Sequence, residues 1–369
     1  MNVFIISPTL SHGGAERVAT LWAKGLARNG YHLYFVTNLH SESSYDLESV
    51  ERLLPLTPSS NNKIKKYLGS IRLLRKYYKT YKPDVIIGVM YACSLLAKLS
   101  SIGLSIPVIN TEHSAFERPT SFPFTRIDYF AKFFLNYLYD GVTVLTQKDK
   151  LLINKRFNNV HVLPNPTFIT PIDRYPIKES VVLAAGRLDA WECKGFDVLI
   201  RAWGKIVKSE ELTVNRDGWR LQIAGTGSEK SLNYLKGLCK EYGVDNSVEF
   251  LGFQKDIEKL YQKASIFVLS SRYEGFGMVL VEAMSQGCAC IACDYKGRQK
   301  EIIRNDYEGK ICEIDDVDSL TIAIEDFIQD KHKRETVGVN SIARSHDFSI
   351  DNIINKWDDV FNSVSKKRA

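Results

Sequence analysis

Short apolar runs alternate along the chain with longer segments in which apolar residues recur every three or four positions. The runs Val3–Ser7, His32–Thr37, Asp84–Val89, Pro107–Asn110 and Val142–Thr146 predict the strands of a first sheet. Between them, Ala15–Arg28, Ile64–Tyr81 and Ile127–Tyr139 carry the helical period. Strands separated by helix-length segments pair in parallel through right-handed crossovers. A second alternation follows, with strands at Val181–Ala185, Arg220–Ala224, Val248–Leu251, Ile266–Leu269 and Cys290–Ala292. Its helices are Phe196–Val207, Ser231–Tyr242, Asp256–Lys263 and Met278–Ser285. A last helix, from Ile350 to Val364, gathers Ile353, Ile354, Trp357, Val360 and Phe361 on one face.

The pattern breaks between the two alternations. Pro164, Pro166, Pro171 and Pro176 fall within residues 161–176 and mark a linker. A chain of 369 residues is too long for one ordinary core and suits two domains. The expected organisation is α/β: two doubly wound, Rossmann-like domains, residues 1–172 and 173–349, facing an interdomain cleft. The C-terminal helix, 350–369, is expected to pack back on the first domain. Such sheets take ligands at the carboxyl ends of their strands, so the cleft is the expected site.

Composition adds compartment and charge. With 44% hydrophobic and 25% charged residues the chain reads as an ordinary soluble globular protein. It opens on Met1-Asn2 without a basic leader or a long apolar region, and no run of about 18 apolar residues follows. The expected location is the cytoplasm, with the inner face of the plasma membrane as a peripheral station. Cys288, Cys290 and Cys293 share an apolar run without a nearby His, which suits a buried strand better than a metal site.

The positive charge is concentrated in the first half. Residues 1–177 hold 21 Lys and Arg against 12 Asp and Glu. Lys63, Lys65, Lys66, Arg72, Arg75, Lys76, Lys79 and Lys82 stand together with no acid among them, on a helical repeat of Ile64, Leu68, Ile71, Leu74, Tyr78 and Tyr81. A basic amphipathic helix at 63–82 can lie on an anionic membrane surface, or be a solvated helix whose apolar face meets the core, or both. No recognition motif accompanies the charge, so nucleic acid is not an expected partner.

The candidate chemistry sits at strand-to-helix junctions. Gly13-Gly14 opens the first helix, either as a plain turn or as a place where a ligand meets backbone N–H groups. Gly186-Arg187-Leu188 follows the first strand of the second half, and Lys194-Gly195 opens another helix. Arg187 and Lys194 form either a diphosphate clamp or two solvated loop cations. The stretch from Ser270 to Met284 is the most specific. A strand ends at Leu269, Gly275 and Gly277 make a turn, and the N–H groups of Phe276, Gly277 and Met278 are left for phosphate oxygens. Glu282 falls among Val279, Leu280, Val281, Ala283 and Met284, where a carboxylate needs a hydrogen-bonding partner such as a ribose. His113, just past a strand, can face a sugar hydroxyl, move a proton, or be structural. No Asp-x-Asp dyad sits at a strand end; Asp315-Asp316 reads as solvated and Ser228 as a helix cap.

In this order the motifs resemble the family 4 retaining glycosyltransferases of GT-B architecture. Those that match are Gly13-Gly-Ala-Glu-Arg17, Thr111-Glu-His-Ser114, Gly186-Arg-Leu188 with Lys194-Gly195, Ile223-Ala-Gly-Thr-Gly227, and Glu274 with Glu282. Within that family the chain is similar to bacterial enzymes that extend lipid-linked oligosaccharides, including N-acetylgalactosaminyltransferases. The resemblance implies a UDP-sugar donor, no metal and no cofactor, and a polyprenyl-pyrophosphate-linked glycan acceptor. It implies that Gly14 faces the donor diphosphate, that His113 contacts the transferred sugar, and that Arg187 and Lys194 neutralise the leaving diphosphate. Glu274 would hold sugar hydroxyls and Glu282 the ribose. A GDP-sugar donor, a nucleotide-sugar epimerase and a silent sugar-binding partner are the alternatives. The sequence departs from the family's common form in a longer Arg187-to-Lys194 loop. It departs again at Cys288-Ala-Cys290, which replaces a segment containing Pro, and at Gly297-Arg-Gln-Lys-Glu301, which lacks the second glycine or proline.

Overall fold

The computed structural model describes residues 1–10, 14–38, 47, 50–57, 62–157, 159–209 and 218–365. The chain divides into two compact units, one of residues 1–166 with the segment from 350 onward, the other of residues 167–349. The second unit thus begins at Thr167 rather than at 173.

The first unit runs β1 (Asn2–Ile6), α1 (Gly14–Arg28), β2 (His32–Thr37), β3 (Arg52–Pro55), α2 (Lys63–Tyr81), β4 (Val85–Val89), α3 (Met90–Ser101), β5 (Val108–Thr111), α4 (Arg126–Phe133), β6 (Gly141–Val144), α5 (Gln147–Ile153) and β7 (Val160–Val162). Its sheet is parallel in the order β3-β2-β1-β4-β5-β6-β7. The central strands are apolar on both faces because helices cover both. All of β4 and all but the first residue of β1 are buried. The expected Ile127–Tyr139 helix breaks at Phe134 and resumes as a 3-10 turn, Leu135–Leu138.

The second unit runs β8 (Glu179–Ala185), α6 (Trp191–Lys194), α7 (Phe196–Lys208), β9 (Arg220–Ala224), α8 (Glu229–Tyr242), β10 (Val248–Gly252), α9 (Ile257–Lys263), β11 (Ala264–Leu269), α10 (Met278–Ser285), β12 (Ala289–Cys293), β13 (Lys310–Cys312), α11 (Val317–Gln329) and α12 (Lys331–Ser345). Its parallel order is β10-β9-β8-β11-β12-β13. Each sheet therefore reverses direction beside its first strand, between β1 and β4 and between β8 and β11, and that is where a crevice opens at the strands' carboxyl ends. Ser228 caps α8 by accepting from Ser231 N, and Cys288, Cys290 and Cys293 lie buried on or beside β12.

The strands absent from the sequence reading are β3, β7 and β13. They have four, three and three residues and stand at or beside a sheet edge, too short to show a period. His161-Val162, read as linker, belongs to β7. Helix α3 was hidden because it follows β4 without a break and Val89 gives it no side-chain cap.

The last helix, α13 (Ile350–Ser365), packs on α1. Gly25 makes room for it: a β-carbon there would lie 2.4 Å from Ile354 Cγ1. Trp357 is fully buried and meets Trp22 edge-on at 5.1 Å. Trp357→Ala is expected to cost about 3–5 kcal/mol of stability by denaturant melting. A loss under ~1 kcal/mol would show that α13 is not part of this core.

Candidate active site

The second unit's crevice is built by backbone contacts that admit no side chain. A β-carbon on Gly225 would stand 1.8 Å from Gly186 O, and one on Gly195 1.9 Å from Ser270 O. Both glycines have positive φ, 143° and 64°. The loops after β8, β9 and β11 are thereby pressed together. The Arg187-to-Lys194 loop uses its extra length to form a 3-10 turn and the short α6. Ser270 Oγ donates to Lys194 O at 2.9 Å and Arg272 N to Cys193 O at 2.8 Å. Arg272 also forks onto the buried Asp197 carboxylate through two bonds of 2.8 Å. It reaches Asp315 Oδ1 at 2.6 Å, so Asp315 is an ion-pair partner and not a merely solvated residue. Asp316 caps α11.

This packing brings Lys194 and Glu274 together. Lys194 Nζ lies 2.6 Å from Glu274 Oε1, which also accepts from Ser271 Oγ at 2.8 Å. The Lys194 stem runs over Gly186, 3.3 Å from where a β-carbon would be. Burial works against the ammonium, but the Glu274 carboxylate and its hydrogen bond outweigh burial, and the Lys194 pKa lies above its ordinary value. Arg187 is exposed, close enough for its charge to oppose that rise. The two cations do flank one loop, yet Lys194 is held by a carboxylate rather than left as a bare clamp.

Next to this pair stands the start of α10. Gly277 is its N-cap, left-handed at φ 98°, and offers no side-chain cap. The N–H groups of Met278 and Val279 have no intrahelical partner, while Leu280 N donates to Gly277 O at 2.9 Å. Phe276 is buried against Phe348, which fixes the entry to the helix. Glu282, one turn on, is buried, and Tyr261 Oη donates to its Oε2 at 3.2 Å. The protein itself therefore supplies one of the partners that the sequence reading left to a ribose.

In the first unit, His113 follows β5. Its Nε2 is 3.1 Å from Thr111 Oγ1, and the Asn165 side chain stands beside the solvent-shielded ring. Beneath it, Glu112 and Lys132 form a buried ion pair of 2.7 Å. Lys132 Nζ also donates to Ser114 O, and Asn110 Nδ2 to Glu112 Oε1. Burial lowers the His113 pKa to about 4, with the Glu112 charge opposing. Gly14 opens α1, and a β-carbon there would meet nothing within 4 Å, so no packing contact demands a glycine. Gly13 lies outside the described residues.

In sequence Lys194 stands after the first strand of the second half, and Glu274, Gly277 and Glu282 after the strand ending at Leu269; the fold brings Lys194 to Glu274. The sequence reading missed Arg272, Asp197, Tyr261 and the Glu112–Lys132 pair, whose partners lie 20 to 75 residues apart and leave no local pattern.

Two doubly wound parallel sheets, the second with Lys194 and Glu274 meeting at its switch point, are the frame of a GT-B enzyme. The chain belongs to the glycosyltransferases: residues 12–167 match Glycosyltransferase Family 4 and residues 171–344 match Glycosyl transferases group 1. It is 28% identical over 369 residues to a Campylobacter jejuni GalNAc-alpha-(1->4)-GalNAc-alpha-(1->3)-diNAcBac-PP-undecaprenol alpha-1,4-N-acetyl-D-galactosaminyltransferase, covering 97% of each chain. It is 28% identical to the amylovoran biosynthesis glycosyltransferase AmsD of Erwinia amylovora, covering 98% of this chain and 99% of that one. In fold it resembles Anabaena HepE, solved in complex with UDP, with a TM-score of 0.79 at 18% identity; the match covers 98% of this chain and all of that one.

The lowered pKa of His113 sets a pH dependence. The unfolded chain takes up this proton near 6.5 and the folded chain only near 4. The stability His113 contributes is therefore fully present above pH 6.5 and is lost as pH falls from 6.5 to 4. Nitrogen NMR of labelled imidazoles is expected to show one ring still neutral at pH 5.5 that becomes silent in His113→Asn. Titration of His113 above pH 6 would contradict the account.

Proposed function

We propose that this glycosyltransferase moves a hexose or N-acetylhexosamine from a UDP-sugar to a lipid-linked oligosaccharide, with retention of anomeric configuration, in surface-glycan assembly. The observation that carries the reading is the meeting of Lys194, Glu274 and the uncapped start of α10 at the switch point of the second sheet. The hard step of glycosyl transfer is departure of a nucleoside diphosphate, whose charge grows as the anomeric bond breaks. Fixed cations and helix N–H groups lower that barrier electrostatically. Arg187, Lys194 and the N–H groups at Gly277 and Met278 are assigned to the diphosphate, and these cations take the place a metal would otherwise fill. Donor entry exchanges partners: Lys194 turns to the phosphate and Glu274 is released to the sugar hydroxyls. Glu282 holds the ribose together with Tyr261; in the first unit, Gly14 opens α1 without a side chain, and His113, neutral at pH 7, can hydrogen-bond a sugar hydroxyl. No side chain is assigned as a covalent nucleophile, and acceptor attack from the leaving group's side gives retention.

UDP is favoured by the complex of HepE with UDP, and the lipid-linked acceptor by the name of the Campylobacter jejuni relative. Mass spectrometry with UDP- and GDP-sugars and a lipid-pyrophosphate glycan tests both. One UDP-sugar is expected to add a single residue, and Glu282→Ala to lose at least ~100-fold of that rate. Conversion of a donor without acceptor, or transfer from GDP-sugars alone, would overturn the reading or its base assignment.

The acceptor's lipid implies a membrane station, which the first unit supports. No helix among the described residues is long and apolar enough to cross a membrane. The two readings of the basic helix apply to different halves of α2. Leu74 and Tyr78 enter the core, while Ile64 and Leu68 are exposed beside Lys65 and Lys66. Phe130, Phe134 and Tyr137 add exposed aromatic surface on α4 and the turn after it. Such a surface suits the interface of an anionic bilayer. The protein is expected to sediment with phosphatidylglycerol vesicles at low salt and to leave them at about 0.5 M salt. Indifference to those vesicles would remove the membrane part and leave the transfer reaction standing.

A further inference from the structure

The loop after β12, Asp294 to Glu301, is folded by its own hydrogen bonds. Gly297 N and Gln299 N donate to the Asp294 carboxylate at 2.9 and 3.0 Å, and Tyr295 N donates to Gln299 Oε1 at 2.8 Å. The last bond fixes the carboxamide: only its oxygen can accept from an N–H, so Nε2 must be the other branch. Gln299 is fully buried, and its Nε2 has no hydrogen-bond partner among the described residues. A buried amide donor without an acceptor is destabilising and rarely left so.

Its position shows what it waits for. A β-carbon on Gly277 would lie 4.0 Å from Gln299 Nε2, so the amide stands at the start of α10. Gly277 brings no capping side chain, and the N–H groups of Met278 and Val279 there have no intrahelical partner. Donors from two separate loops thus stand at the start of α10, and among the described residues the Gln299 amide has no acceptor. A sugar hydroxyl would bring its own proton to be placed, whereas a phosphoryl group only accepts and carries the charge a helix N-terminus favours.

We propose that Gln299 is a donor-positioning residue whose Nε2 hydrogen-bonds a phosphoryl oxygen of the nucleoside diphosphate at the start of α10. The assignment rests on the nucleotide-sugar reading and adds to it a side-chain ligand from the loop after β12. It gives a function to a residue of the segment Gly297–Glu301, in which the chain lacks its family's common second glycine or proline. The bond strengthens as the leaving diphosphate gathers charge, so the residue serves both donor binding and bond breaking.

Gln299→Glu tests this with little change of shape. It keeps an oxygen for Tyr295 N and puts an acceptor where Nε2 stands. Calorimetry with UDP and GDP, and displacement by uridine, are run on wild type and variant, with thermal melting as the folding control. The expected result is a 10- to 100-fold weaker nucleoside diphosphate, unchanged uridine, and a melting point within about 3 °C. An unchanged diphosphate affinity in the folded variant overturns the proposal. Equal losses for uridine overturn it too, because Gln299 would then act on the nucleoside. If the variant melts early, wild type labelled with 15N-glutamine reads the same contact. The Gln299 side-chain amide must shift with the diphosphate and not with uridine, and a resonance that stays in place overturns the proposal. Wild type that binds neither UDP nor GDP fails differently, by removing the nucleotide-sugar reading itself.

Discussion

Everything at the second sheet's edge depends on two places where backbone touches backbone. Gly225 against Gly186 O and Gly195 against Ser270 O allow the loops after β8, β9 and β11 to stack without side chains between them. Only then does Lys194, at the end of the four-residue α6, reach a glutamate 80 positions further along the chain. The Arg272–Asp197 fork holds the same loops from the other side. A bidentate pair with one carboxylate buried fixes direction as well as distance. The cost of ordering these loops is met in the fold, before any ligand arrives, and this is what a site that must stabilise a departing diphosphate needs.

The first unit solves a similar problem with charge. A buried ion pair such as Glu112–Lys132 contributes little net stability, because removing both charges from water costs about what their attraction returns. Its value is positional. Lys132 ties Glu112 to Ser114 O across His113, so the loop carries the imidazole in one place while burial keeps it neutral. A neutral ring donates from one nitrogen and accepts at the other without adding a positive charge.

Much of this is legible in the sequence. The central strands are read correctly because helices on both faces demand continuous apolar runs, and α10 because Gly277 marks its start. Glu282 drew attention for a sound reason, a carboxylate on an apolar helix, although the partner found is Tyr261. The sequence cannot show pairs that form only when distant loops meet, so Asp197 with Arg272 and Glu112 with Lys132 stayed invisible. It also cannot show an absence of partners. Gln299 is one residue of a segment, Gly297–Glu301, that departs from a family pattern, and only its burial and an Nε2 without a partner among the described residues make it a candidate ligand. Edge strands of three or four residues are too short for any period to emerge.

The central claim is that a nucleoside diphosphate sits at the start of α10, between the loops after β11 and β12. Hydrogen–deuterium exchange with and without saturating UDP tests it most directly. The account predicts slower exchange in residues 270–280 and 294–301. Protection confined instead to the polar surface around Arg304, Glu308 and Arg344, or no protection anywhere, would contradict it.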